Sequence, residues 1–155
     1  MTVSFSSPVT GAAITGLTTP TYTLVADQPA EANAKAYIVT ALGGTQTNVR
    51  THSISDPFSI TVWKPKVPKS LPPKNALSGA YPQVPMNSYA MIIRKGVYID
   101  AASVLRQMTI RVMVDLAAGA DAADAVNVKA ALSLLGGVAF AEGQDIADLA
   151  ILGVL

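Results

Sequence analysis

The sequence predicts an α+β fold: antiparallel strands over the first two thirds of the chain, then two short helices on one face of the sheet. Three observations carry that expectation. Up to roughly residue 117 the chain falls into short runs rich in β-branched and aromatic residues, several alternating with period two. Beyond it, apolar residues recur at three and four positions instead. Helices this short are marginal alone and must lie on the sheet, which leaves the other face for a different purpose.

The elements follow in order. "VSFSS" and "AAITGL", separated by "PVTG", read as an N-terminal hairpin within residues 1–19. "TYTLVAD" and "AKAYIVTAL" are strands, and "GGTQT" is a turn. "NVRTHSIS" and "FSITVWK" alternate around the breaker "DP" and read as two more strands. Residues 64–87 hold six of the ten prolines and four lysines, so they form a long, partly extended connection rather than a central strand. Strand pattern resumes in "SYAMIIRKGVYI", loosens at "DAAS" and ends with "RQMTIRVMVDL". Asp121 is a natural helix N-cap, and Asp124 adds a carboxylate to the first turn. Val126, Ala130, Leu134 and Val128, Leu132, Leu135 keep helical spacing until Gly136 and Gly137 stop the helix. A second helix runs through "QDIADLAIL", with Ile146, Leu149 and Ala150 on one side. The 155 residues make one domain: a hairpin over 1–19, a sheet over 20–117 with the proline-rich loop 64–87, and helices over 118–155.

Composition narrows the function classes. With 50% hydrophobic and 14% charged residues, the chain is either largely buried in an assembly or an ordinary apolar domain. There is no cysteine, and the single histidine, His52, cannot supply a multi-histidine metal site. No secretory signal pattern and no apolar run long enough to span a bilayer appears, so a soluble, unexported chain is expected. "LGGT" lacks the spacing and lysine of a phosphate loop, and no serine sits in a nucleophile elbow that could use His52. The expectation is no enzyme, no catalytic residue, no metal, no cofactor, no small-molecule substrate and no membrane partner. Charge is uneven. Residues 35–111 sum to +8, residues 112–155 to −5 and residues 1–34 to −2. A basic middle beside an acidic tail suggests that one face meets a polyanion, although scattered solvated charge gives the same sums.

The stretch "PMNSYAMIIRKGVYI…QMTIRVMVDLAAGADAADAVNVKAALSLLGG" resembles the C-terminal half of coat proteins of single-stranded RNA bacteriophages, the levivirus group. The basic "RKG" after a strand, the Gly-Ala-Asp leading into a helix and "NVKAALS" closing on glycine carry the likeness. "AYIVTAL" and "FSITVWKPKV" resemble the family's central strands, while the proline-rich connection is longer than in the best-known members. The resemblance implies an N-terminal hairpin, a five-stranded antiparallel sheet and two C-terminal helices, with two subunits joining sheets edge to edge and interlocking their helices. Such homodimers, made in the bacterial host cytoplasm, close an icosahedral shell around genomic RNA in the virion. Family members often also bind an operator hairpin and so repress replicase translation.

In that family the sheet face away from the helices meets RNA, and strand alternation then sorts the side chains. Ser59, Thr61 and Trp63 are expected on the RNA face, with Phe58, Ile60 and Val62 toward the helices. Gln107, Thr109 and Arg111 are expected beside them, with Met108, Ile110, Val112 and Val114 beneath the helices. Arg50 and His52 are placed inward together, and Arg94 rather than Lys95 is assigned to RNA. Arginine displaces counterions from phosphates, hydroxyls bond base edges and an aromatic ring stacks on a base. Plainer readings exist: β-propensity for Ser59, Thr61 and Thr109, an interface or core aromatic for Trp63, a sheet residue for His52, a solvated loop for Lys64, Lys66, Lys69 and Lys74, and an ion pair with Asp115 for Arg111. The competing class is a self-assembling β-rich subunit of tail-tube or fimbrial type, without nucleic acid.

Overall fold

The computed structural model describes residues 3–101 and 104–154, so the loosening expected at "DAAS" lies partly outside the described residues. Six antiparallel strands form one sheet in chain order: β1 (Val9–Thr10), β2 (Leu17–Asp27), β3 (Ala34–Gln46), β4 (Phe58–Trp63), β5 (Met86–Tyr98) and β6 (Leu105–Ala117). Helices α1 (Ala120–Ala123), α2 (Ala125–Ala141) and α3 (Gly143–Leu152) follow. Each strand pairs with its predecessor, so every connection is local.

The sheet has six strands rather than five, because the N-terminal segment joins it. Val9 and Thr10 pair with Tyr22 and Thr21, inside the "PVTG" that the sequence marks as a turn. The "VSFSS" run forms no strand. Phe5 packs edge-on against Tyr37 at 5.1 Å, so side-chain packing holds that segment instead of a ladder. The segment "AAITGL" contributes a single bridge, Ile14 with Leu17.

Residues 47–57 are a loop, not the strand expected of "NVRTHSIS". Its polar side chains bond backbone groups locally and so compete with a ladder. The Ser53 hydroxyl accepts the Asp56 N–H at 3.1 Å, and His52 Nδ1 accepts the Phe58 N–H at 3.0 Å.

The helix boundaries also differ. Gly119, with φ of 91°, precedes the single turn of α1, so Asp121 lies within that turn and caps nothing. Asp124 is the residue before α2, and its carboxylate accepts both bonds from the Asn127 amide, at 2.8 and 2.9 Å. Gly136 and Gly137 do not stop α2. Each glycine costs about 1 kcal/mol against alanine, and strong formers on both sides carry the helix on to Ala141. The break falls at Glu142, where α3 turns onto the N-terminal segment. A side chain at Gly143 would meet Ala12 at 2.7 Å, and the Gln144 side-chain oxygen accepts the Thr15 N–H at 2.7 Å.

The interior of one chain is thin. Among the described residues Ala34, Val39 and Ala118 are the buried apolar ones, with Pro20 fully enclosed. Helix α2 buries none of its residues and, of the strands and helices, adjoins α1 and α3 but no strand among the described residues. Leu132, Leu134, Leu135, Val138 and Phe140 all remain exposed around it. The chain exposes 10750 Å², against about 7,400 Å² for a compact monomer of 16.0 kDa. The excess of roughly 3,300 Å² per chain would amount to about 6,600 Å² over two copies, at the upper end of obligate interfaces.

Candidate nucleic-acid interface

Strands β4, β5 and β6 run in strict register, and directly paired residues share a face. Ser59 pairs with Arg94 and Arg94 with Thr109; Thr61 pairs with Ile92 and Ile92 with Arg111; Trp63 pairs with Ala90 and Ala90 with Met113. Ser59, Thr61, Trp63, Arg94, Thr109 and Arg111 therefore occupy one face, over a patch about 10 Å across the strands and about 14 Å along them. Gln107 lies on the same face and donates to the Thr109 hydroxyl at 3.1 Å.

Within the patch Arg94 is the organising residue. Its guanidinium donates to the Thr61 hydroxyl at 3.2 Å and sits 5.6 Å from the centre of the Trp63 ring. Thr61 is only 6% exposed and lies beneath these two, so its hydroxyl holds Arg94 in place. Arg111 is exposed, and Asp115 bonds the Ser88 hydroxyl, so no Arg111–Asp115 ion pair forms among the described residues.

The opposite face is apolar. Lys35, Tyr37 and Val39 of β3 share it with Phe58, Ile60 and Val62 of β4, Met91 and Ile93 of β5, and Met108, Ile110, Val112 and Val114 of β6. A trough of about 330 Å³ opens on it between Phe5, Val9, Tyr22, Leu24, Phe58 and Ile93. Burial there pushes the Tyr22 phenol above its ordinary pKa. Met108 and Ile110 are 43% and 48% exposed, so no element of the same chain covers this face along β6.

Lys95 takes the apolar side, opposite Arg94, and leads to a feature that sequence reasoning missed. The buried Asp56 carboxylate accepts from Lys95 Nζ at 3.0 Å and from Arg50 Nε. Arg50 also donates to the Gly96 carbonyl at 3.1 Å and stacks 4.0 Å from the Tyr98 ring centre. Desolvation pushes the Asp56 carboxyl up, but the hydrogen bonds and charges of Arg50 and Lys95 outweigh it and hold it below the usual carboxylate range. Arg50 and His52 thus lie in the 47–57 loop at the end of the sheet rather than on a strand face, and their side chains fasten that loop. One signal was in view: Asp56 and Asp100 are the sole acids in the +8 stretch.

Neither a family model nor a curated protein matches the chain. Among solved structures, the virus-like particle of bacteriophage ESE020 is 45% identical, with 99% of this chain and 100% of that chain covered and a TM-score of 0.95. The chain belongs to the levivirus-like bacteriophage coat proteins. The virus-like particle of Beihai levi-like virus 32 is more distant, at 13% identity, coverage of 86% and 88%, and a TM-score of 0.48. As a coat protein, the chain presents one sheet face carrying Arg94 and Arg111 and an opposite, mostly apolar face left exposed along β6, with an apolar helical arm leaving the β6 edge.

Proposed function

We propose that this coat protein packages single-stranded RNA in a shell built from homodimers, and that Ser59, Trp63, Arg94, Thr109 and Arg111 form the RNA-facing surface. The observation that carries the reading is the pairing of Arg94 and Arg111 with hydroxyl and aromatic side chains on one face of β4–β6. Two fixed cations with Ser59, Thr109 and Gln107 beside them suit a flexible polyanion, with affinity set by counterion release. Trp63, held beside Arg94, offers a base a stacking surface. The apolar opposite face and the all-round apolar α2 complement each other across two copies, since a helix apolar on every side needs burial on every side. A dimer that lays each α2 on the partner's sheet accounts for the excess exposed area of one chain. On the same reading the protein ends in the virion after synthesis in the host.

Expression followed by electron microscopy and nuclease treatment tests it. Uniform closed particles holding nuclease-protected RNA are expected. Stable monomers would overturn it, and fibres free of RNA would overturn it in favour of a tube or fimbrial subunit.

A further inference from the structure

The loop 64–87 is built to present something. Its base is tied by Asn87, whose side chain accepts the Lys69 N–H at 2.8 Å and donates to the Lys69 carbonyl at 2.9 Å. Its tip is a closed turn: Asn75 Oδ1 accepts the N–H groups of Leu77 and Ser78 at 2.8 and 3.2 Å, and the Asn75 N–H reaches the Ala80 carbonyl at 2.8 Å. Lys74 stands 5.1 Å from the Tyr81 ring centre. At the apex Leu77 is 100% exposed, an apolar side chain held in water by an ordered scaffold. A knob ordered in advance loses little entropy on docking.

A matching surface lies on α3. One side of that helix meets residues 12–15 of its own chain through Gly143 and Gln144. Beside it opens a groove of about 530 Å³ lined by Ile146, Leu149, Leu152 and Val154 and edged by Asp145 and by Asp148, whose carboxylate also accepts from the Gln144 amide at 2.9 Å. The loop carries four lysines and no acid, whereas residues 143–154 carry two acids and no base. Like charge disfavours either surface meeting its own kind, whereas opposite charge favours contact between the loop of one copy and α3 of another. The apolar trough on the sheet is a poor alternative, because its lining holds no acid to meet Lys74.

We propose that the 64–87 loop of one copy docks on the outward groove of α3 in another, with Leu77 entering the groove and Lys74 meeting Asp145 and Asp148. The proposal rests on the coat reading, which brings many copies together.

The cysteine-free chain makes the test direct. Leu77→Cys and Leu149→Cys chains are coexpressed, and the particles are oxidised and run on a non-reducing gel. Linked pairs are expected when both variants are present and from neither alone. Charge reversal gives a second measure: Lys74→Glu lowers particle yield, and adding Asp145→Lys restores it. Intact particles without a link, or a link from Leu77→Cys alone, overturn the contact while leaving the coat reading standing. A wild-type chain that makes no particles overturns both.

Discussion

Replacing Asp56 by asparagine removes the carboxylate that two cations share, while keeping its shape. The side chains of Asp56, Lys95 and Arg50 are 8%, 14% and 35% exposed, so the cluster is mostly closed to water on two of its three members. Exposed pairs contribute about 0–1 kcal/mol, whereas removing one partner of a buried pair costs about 3–5 kcal/mol. The partial exposure of Arg50 puts the expected loss between these, at about 2–3 kcal/mol. For a chain of this length that lowers the unfolding midpoint by about 5–10 °C, read by far-ultraviolet circular dichroism at neutral pH. The pH dependence is a second signature. Because the folded pKa is depressed, the stabilisation is complete above the unfolded value of about 4. It is lost as pH falls through the lower folded value. The wild type should therefore show an acid-dependent loss below about pH 4 that Asp56→Asn largely lacks. Equal midpoints at neutral pH and the same acid profile in both proteins would refute a stabilising cluster.

Other perturbations separate the two sheet faces and the loop. Arg94→Ala and Arg111→Ala should each fold and assemble, yet each should make the slope of RNA affinity against salt shallower by about one for every phosphate it no longer neutralises; unchanged slopes in purified dimers would remove these residues from the interface. Asn87→Ala leaves the Lys69 N–H and carbonyl without their side-chain partner, at a cost of about 1–3 kcal/mol. Limited proteolysis should then cut within 64–87 faster than in wild type. Gly119→Ala puts a side chain at φ of 91°, 3.2 Å from Leu71; the backbone cost alone is about 1–2 kcal/mol, and an unchanged urea midpoint would show that the β6–α1 joint relaxes freely.

Local pattern in the chain was enough to place β2 to β6 with helices after them, the proline-rich connection and the sorting of β4–β6 side chains. All three depend on information confined to a strand or turn: a period of two decides which of Arg94 and Lys95 takes which side once one face is known. The likeness of residues 87–137 to phage coat proteins rested on such local patterns, and the full-length match to the ESE020 particle bears it out. Failures came where distant groups decide. The "NVRTHSIS" run alternates like a strand, but Asp56, held by Arg50 and by Lys95 from β5, and His52, bonded to the start of β4, close it into a loop. Gly136 and Gly137 look like a helix stop, yet the chain turns at Glu142, where Gly143 closes on Ala12. That α2 stands clear of its own sheet with every side exposed became visible only in three dimensions. Apolar periodicity says that a surface must be buried, but the path of the chain says whether its own sheet can reach it.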